Sequence, residues 1–379
     1  MPSAPTLRIF ESIKEIPRQP WNELAGSNPF LKHEFLSALQ DSGCAVSETG
    51  WEARFLTLWQ EEVLVAGMPL YLKYHSWGDF VFDHAWAQAY ERAGLRYYPK
   101  LQSSVPFTPA TGNRLFAATP ELRAALLQAA IRFAQELGVS SLHILFPPEA
   151  QAKEIQTQGM MLRQGTQFHW RNTGFADFNA YLASMSHDKR KRIKQERRKV
   201  KEAGITFERL TGKQITDEHW LHYQRCYENT HQQYRSPQAL NLDFFRRVSA
   251  SMSENILLVI ALRDGQPIAG ALNFYHQEAL FGRSWGALEF HSGLHFEACY
   301  YQAIEFCFEH NIPLFEGGAQ GEHKLSRGFL PETTWSAHWI ADPRFANAVE
   351  DFLQRESRGV AMYIDELNEH SPFKQQADI

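Results

Sequence analysis

No C-x-x-C pair and no zinc-type spacing links the four cysteines of this 379-residue chain, Cys44, Cys226, Cys299 and Cys307. Their arrangement excludes a disulfide scaffold and a structural metal centre, and they read as reduced core or pocket thiols with no metal site expected. No apolar run approaches the roughly 18 residues that a membrane helix needs, and the opening "MPSAPTLRIFESIKEIPRQP" lacks an apolar targeting core. The expectation is a cytoplasmic protein without a membrane span. Low-complexity tracts are missing too; with 44% hydrophobic and 13% aromatic residues the chain fills cores rather than staying disordered. A large excess of one charge is also lacking. The 38 Lys+Arg against 43 Asp+Glu leave a formal net charge of −5, too little for a protein-wide field that collects polyanions.

The positive charge is concentrated instead. Between Lys189 and Lys201, nine of thirteen positions are Lys or Arg. Ser184 or Ser186 supplies a helix cap, Asp188 suits a first turn, and Gly204 ends the helix before the alternating strand "ITFERL". The result is a basic helix over 187–203, about 25 Å long at 1.5 Å per residue. Ile193, Val200 and Ala203 form only a narrow apolar stripe, so most of the circumference faces solvent or a partner. Two readings follow: a solvated connector, or a phosphate-binding surface on which Arg190, Arg197 and Arg198 hold a nucleic acid without reading its bases.

The chain is too long for one ordinary core, so two domains of roughly 150 to 200 residues are expected. An internal repeat supports the same division. "LWQEEVLVAGMPLYL" at Leu58–Leu72 aligns without a gap with "ALRDGQPIAGALNFY" at Ala261–Tyr275, and both read as β-hairpins. Later in each half an amphipathic helix runs into an apolar strand: "LLQAAIRFAQELGVSSLHILF" from Leu126 and "YYQAIEFCFEHNIPLFEGG" from Tyr300. Gly138 and Asn311 share the position where a left-handed residue ends a helix. Hairpin, helix and strand in the same order predict duplicated α/β domains, 1–175 and 176–379, the second containing the basic helix.

The basic helix, the following "YQRCYENTHQQY" and the later "YYQAIEFCFEHNIPLFEGGAQGEHKLSRGFLP" resemble the FemAB-type acyltransferases. Longer blocks, among them "NPFLKHEFLSALQDSGC" and "MPLYLKYHSWGDFVFDHAWAQAYERAGLRYYPKLQSSVPFTPATG", narrow this to the bacterial FemAB-like N-acyltransferases, a family also described as peptidoglycan biosynthesis or recognition proteins. The resemblance spans nearly the whole chain. It implies two tandem domains of the GNAT fold, the acyl-CoA N-acyltransferase fold, and transfer of an acyl group to an amine.

Such a reaction requires an activated carbonyl held beside a neutral amine, a stabiliser for the oxyanion and an acceptor for a proton. The stretch "FEGGAQGEHKLSRGF", Phe315–Phe329, holds candidates for each. Glu316 ends an apolar strand, where α/β folds place active-site groups; Gly317 and Gly318 let a substrate approach the backbone. The resemblance assigns the carbonyl oxygen to Lys324, which matches the Lys that follows the glycine-containing strand in Fem enzymes. Either Glu316 or His323 would take the amine proton, and Arg327 would add positive charge for substrate. Thr230 and Tyr234 match polar positions of the FemAB pattern and are expected along an acceptor channel. In "GRSWGA", Ser284 is expected to bind substrate while Trp285 faces the other side of a strand. In the first half, Asp83, Trp86, Tyr90 and Tyr98, followed by the loop Pro106–Pro109, describe a wall for a polar ligand and equally an aromatic core.

A CoA-binding GNAT carries Q/R-x-x-G-x-G/A before its pocket helix. Here that place reads "EFHSGLHFEACYY", Glu289–Tyr301, with one glycine and no matching Arg or Gln. The expectation is therefore an N-acyltransferase without a bound cofactor, taking an acyl or aminoacyl group from aminoacyl-tRNA ahead of acyl-CoA. The acceptor is expected to be a small-molecule or peptide amine such as a peptidoglycan precursor. Two alternatives stand beside it: a CoA-dependent N-acetyltransferase, and a noncatalytic GNAT-fold binder of a cell-wall precursor or nucleic acid.

Overall fold

The structure is a computed structural model that describes residues 4–319 and 321–374. The architecture is mixed α/β, and the chain separates into two compact units: Met1–Thr166 with Thr333–Met362, and Gln167–Glu332 with Tyr363–Ile379. Two contiguous halves meeting at 175 are therefore not how the chain divides. Residues 333–362 go with the first unit because Ser336–Ile340 pair antiparallel with Ser141–Leu145.

In the first unit, β1 (Thr6–Phe10), β3 (Phe55–Gln60), β4 (Val63–Met68) and β7 (Phe116–Ala117) form one antiparallel sheet in that order. Alongside, β2 (Trp51–Ala53), β5 (Tyr71–Lys73), β6 (Lys100–Ser103) and β8 (Ser141–Leu145) pair in sequence, β6 and β8 running parallel. The helix Pro120–Leu137 buries Leu126, Leu127, Ala130 and Ala134 in one core with Leu56 and Met68 of the hairpin. The division between the units falls inside β9 (Met161–Arg171) and inside β15 (Leu330–Ile340).

The second unit holds β10 (Ile205–Thr211), β11 (Ile256–Arg263), β12 (Gln266–Tyr275), β13 (Ala279–Ala287) and β14 (Leu314–Glu316). Neighbours run antiparallel from β10 to β13; β14 then lies parallel to β13 and antiparallel to Arg171–His169 of β9.

The predicted repeat is present in detail. Both hairpins carry a register shift at the aligned place, between Leu58 and Trp59 and between Ala261 and Leu262. Both turns use a left-handed residue at the aligned position, Glu61 at φ 55° and Asp264 at φ 52°. Each hairpin is flanked on both sides by antiparallel strands, β1 and β7 in one case, β10 and β13 in the other. Gly138 and Asn311 both close their helices in the left-handed conformation, each donating its N–H back to the last turn. The copies differ after that helix. Strand β14 pairs parallel with β13, whereas β8 pairs parallel with β6, and β7 is only two residues long.

The basic segment folds as expected, with a helix over His187–Glu202 and Gly204 at φ 72° before β10. The cap differs: Ser186 stands at the N-cap without a side-chain bond, and its N–H donates to the Pro372 carbonyl instead. Ile193 and Val200 are buried. Between them on the same face, Glu196 and Arg197 form ion pairs that hold the helix to the second unit.

Candidate active site

Strand β13 pairs with β14 only as far as Phe281 opposite Glu316. Beyond this point β14 has ended while β13 runs on to Ala287, and the two leave a cavity of about 310 Å³. Its walls are Ala271–Asn273 of β12, Gly282–Trp285 of β13, the loop Gly317–Ala319, and His323 and Lys324 from the 3-10 helix Glu322–Arg327. The remaining wall is the helical entry Leu294–Tyr301, whose Glu297–Tyr301 turn is a π-helix contributing Cys299 and Tyr300. Such π-turns recur at functional sites because the widened turn re-aims side chains.

Lys324 is 3% exposed, and its Nζ donates to the Gly318 carbonyl at 3.0 Å. Among the described residues no carboxylate lines the cavity beside it. Burial therefore pushes its pKa down to about 8. A Cβ on Gly317 would stand 3.0 Å from the Phe329 ring and 3.3 Å from Cδ of Lys324, so the absence of a side chain there gives the lysine stem its path. His323 reaches the same cavity, with Nε2 3.0 Å from the Tyr300 hydroxyl. Burial, then the Lys324 and Arg327 cations, hold its pKa below the usual histidine value, which keeps the ring neutral at pH 7 and able to accept a proton.

Arg283, the second residue of "GRSWGA", is not marked out by the sequence. On β13 it is the extra residue of a bulge, because Gly282 pairs with Asn273 and Ser284 with the adjacent Leu272. A bulged residue has no partner opposite and can be aimed out of the ladder; Arg283 contributes to the cavity lining, while its charge lies near Tyr223 and Tyr227. The residue as a whole is half-buried, yet Nε and Nη2 are enclosed and have no hydrogen-bond partner among the described residues. Burial lowers its pKa too. Only the strand register, which sequence does not give, distinguishes this arginine from an ordinary strand residue.

The other expected site residues divide. Ser284 lines the cavity and shares a hydrogen bond of 2.5 Å with the Tyr223 hydroxyl. Trp285 faces the other side of the strand, as expected, packing against His295 while Ser284 meets Tyr223, and both line the cavity. Glu316 is buried in register with His169 and is not among the lining residues, whereas its neighbour Phe315 is. Thr230 and Tyr234 do not line it either; Tyr234 ends its helix 77% exposed.

Arg327, expected to bind substrate, is 1% exposed and engaged elsewhere. Its guanidinium donates to Glu196 at 2.8 Å and to the His323 carbonyl at 2.6 Å and stacks 3.3 Å from the centroid of the Phe296 ring. Glu196 also accepts from the Tyr301 hydroxyl at 2.6 Å. Arg197 likewise leaves the proposed phosphate surface, because its guanidinium is paired with Glu297 at 2.9 Å and Glu305 at 2.7 Å. Arg190 and Arg198 remain on the outer face with Lys191 and Lys194, lining one shallow groove.

Asp83, Trp86 and Tyr90 lie buried in the first unit, with Tyr98 half-buried beside them. Trp86 and Tyr90 are buried in a cluster with Ile340, Val349 and Leu353. Asp83 accepts from Lys100 at 2.5 Å and from the Tyr97 hydroxyl at 2.6 Å, while Tyr98 shares a hydrogen bond with Ser76. Lys100 also donates to Asp79 at 2.9 Å, and Lys73 stands 3.3 Å from Asp79 and over the Trp51 ring. Burial opposes ionisation of Asp83, but the adjacent Lys100 cation outweighs it and holds the carboxyl well below the usual range.

The sequence profile of the FemAB-like family, described as peptidoglycan biosynthesis/recognition, matches residues 12–375. No curated protein matches the chain. Among solved structures, the C-terminal domain of a putative lysylphosphatidylglycerol synthetase from Agrobacterium fabrum is similar, with 10% identity and a TM-score of 0.57 over 90% of this chain and 96% of that one. FemX is similar at 10% identity and a TM-score of 0.55, covering 88% of this chain and 98% of its own. L-PGS from Bacillus licheniformis gives 9% and 0.53, over 86% and 97%. At these identities the likeness is one of fold, in keeping with the tandem GNAT-like α/β class.

Proposed function

Because the chain belongs to the FemAB-like family, we propose that the cavity of its second unit transfers an acyl or aminoacyl group from an activated ester to an amine. The observation that carries this reading is Lys324: a buried ammonium without a carboxylate partner among the described residues, standing near the end of β14 beside a neutral histidine. A buried cation held this way is costly to folding, and a developing oxyanion is the charge that would repay it.

In this mechanism the neutral amine attacks the carbonyl carbon, and Lys324 Nζ donates to the oxygen as it becomes an oxyanion. His323 takes the proton from the nitrogen, with the Tyr300 hydroxyl orienting its ring. Collapse of the intermediate expels the alkoxide of the donor, which recovers that proton. The amide forms as the ester bond breaks.

The pH profile tests the role of Lys324. If the charged ammonium is the working form, transfer falls as pH rises through about 8, where Lys324 loses its proton. In Lys324→Arg, whose charge persists, that falling limb moves beyond the accessible range. A rate that climbs through pH 8 in the wild type and loses that climb in Lys324→Arg would make Lys324 the base instead.

For the donor, an aminoacyl-tRNA fits better than acyl-CoA. Gly293, the lone glycine of Glu289–Tyr301, abuts the Glu196 carbonyl and Val200 of the basic helix, so that helix fills the ground where a pyrophosphate loop would lie. The same helix presents Arg190, Lys194 and Arg198 outward. Replacing these three with Gln is expected to make the dependence of log K on log salt for charged tRNA shallower by roughly two to three, with no change in melting temperature. Equal salt slopes would move weight to a donor without RNA. The direct assay incubates the protein with charged tRNA, acyl-CoA and a nucleotide-linked muropeptide and follows amide formation by mass spectrometry; no product from any donor would sink the transferase reading.

A further inference from the structure

Resting on the second-unit cavity as the transfer site, we propose that Arg327 and Glu196 are positioning residues that set His323 for proton transfer, so that the basic helix braces the site from within. The argument starts from how little else holds His323 and Lys324. Both belong to the 3-10 helix Glu322–Arg327, and so short a helix of that kind is weakly held by its own backbone. Arg327 closes it from the far end. Its Nη1 donates to the His323 carbonyl at 2.6 Å and to Ser326 Oγ at 3.1 Å, while its own carbonyl accepts from the Tyr181 hydroxyl. The guanidinium lies 3.3 Å from the centroid of the Phe296 ring, and that ring is packed 5.9 Å from His323 and 6.3 Å from Tyr300, centroid to centroid. One side chain thus fixes both the backbone of His323 and an aromatic wall beside its ring. The ring also lies against Gly321, where a Cβ would stand 2.4 Å from it.

Arg327 is buried and is not among the lining residues of the cavity, so it acts through His323 rather than on substrate. Glu196, on the inner face of the basic helix, fixes Arg327 in turn: Oε1 accepts from Nη2 at 2.8 Å, and Oε2 accepts from the Tyr301 hydroxyl at 2.6 Å. Tyr301 ends the π-turn that carries Tyr300. The same carboxylate therefore braces the segment that bears His323 and the turn whose tyrosine orients its ring. A buried ion pair stabilises a fold no better than apolar packing of similar volume; what it adds here is a fixed arrangement around a reacting group and a charge. The cations facing His323 are Lys324 and Arg327, and both favour the neutral ring. His295, 6.1 Å away from ring to ring, is itself neutral, its pKa pushed down to about 4 by burial. Tyr300 is held as the phenol by burial, and the adjacent Glu322 carboxylate accepts from the Tyr363 hydroxyl at 2.6 Å. Glu196 stands behind Arg327 as its countercharge.

Breaking the pair from its two sides has opposite electrical consequences for His323, and this separates positioning from ordinary damage. The ring of His323 is titrated by NMR in the full chain, in the wild type and in Arg327→Gln, Arg327→Lys and Glu196→Gln, and kcat and KM for acyl transfer are followed over the same pH range. The wild-type ring is expected to titrate below the ordinary 6.5. Its midpoint is expected to rise by roughly 0.5 to 1 in Arg327→Gln, to fall in Glu196→Gln and to stay in place in Arg327→Lys. In Arg327→Gln, kcat is expected to drop about tenfold, since small displacements of a catalytic group are costly, with KM unchanged; Arg327→Lys recovers part of the loss. Shifts of the same sign in Arg327→Gln and Glu196→Gln, no shift in either, or a raised KM at unchanged kcat would each overturn the proposal. The Gln at 196 keeps the shape of Glu and an oxygen for Arg327, so if Arg327→Gln fails to fold, a midpoint that does not fall in Glu196→Gln overturns the proposal by itself. Opposite shifts in a protein that transfers no acyl group would leave the hold on His323 standing and defeat the enzymatic reading; transfer at the wild-type kcat in both Gln variants would do the reverse.

Discussion

Lys324→Met is expected to lower acyl transfer by about a hundredfold or more, the scale of losing one oxyanion donor, while the protein melts no lower than the wild type. The second half of this expectation separates it from ordinary damage. The folded-state pKa of Lys324 is about 8 against the ordinary lysine value of 10.5. A base whose pKa is lowered by folding costs stability wherever it is charged: the penalty is complete below pH 8 and disappears as pH rises toward the unfolded value. At pH 7 it is on the order of 3 kcal/mol. Methionine fills similar space without the charge, so a variant that is dead but stable would mark Lys324 as a residue kept for chemistry. Unchanged turnover would remove it from the mechanism.

The largest expected effect on stability lies in the other unit. Lys100→Met is expected to cost about 3 to 5 kcal/mol, the range for breaking a buried ion pair from one side. Its ammonium donates to Ser76, Asp79 and Asp83 at once, and Met would leave two buried carboxylates with only Lys73 for countercharge. Because Asp83 is held below its unfolded range, its pairing stabilises the fold above about pH 4 and is lost as pH falls further. The variant lacks that pairing, so its deficit against the wild type should be largest near neutral pH and shrink as Asp83 protonates in an acid titration. Adding Asp83→Asn should restore part of the loss, since the double variant carries one fewer uncompensated charge. A loss under 1 kcal/mol in urea unfolding would mean that the network is solvated after all.

What the sequence disclosed follows from what depends on neighbours along the chain. Hairpin turns, the left-handed caps at Gly138 and Asn311, and the basic helix are local, and all are present where expected. Lys324 and His323 came through a motif and both reach the cavity. Inward or outward orientation was not legible. Arg197 and Arg327 are as basic as their neighbours, yet each turns toward a glutamate far away in the chain. Arg283 needed the register of β12 against β13 to show its bulge. The aromatic stretch around Trp86 suited a pocket and a core equally, and packing against Ile340, Val349 and Leu353, distant in sequence, decided for core.

The return of residues 333–362 to the first unit has a consequence for birth on the ribosome. Strand β8 ends at Leu145, and its partner residues in β15 begin at Ser336. At 5 to 20 residues per second the intervening chain takes roughly ten to forty seconds to synthesise. Throughout that interval one edge of β8 waits unpaired, although all the residues of the second unit up to Glu332 emerge before its partner does. The unit that starts first thus closes its sheet only after most of the second has emerged, and its waiting edge is where a nascent chain would most need a chaperone.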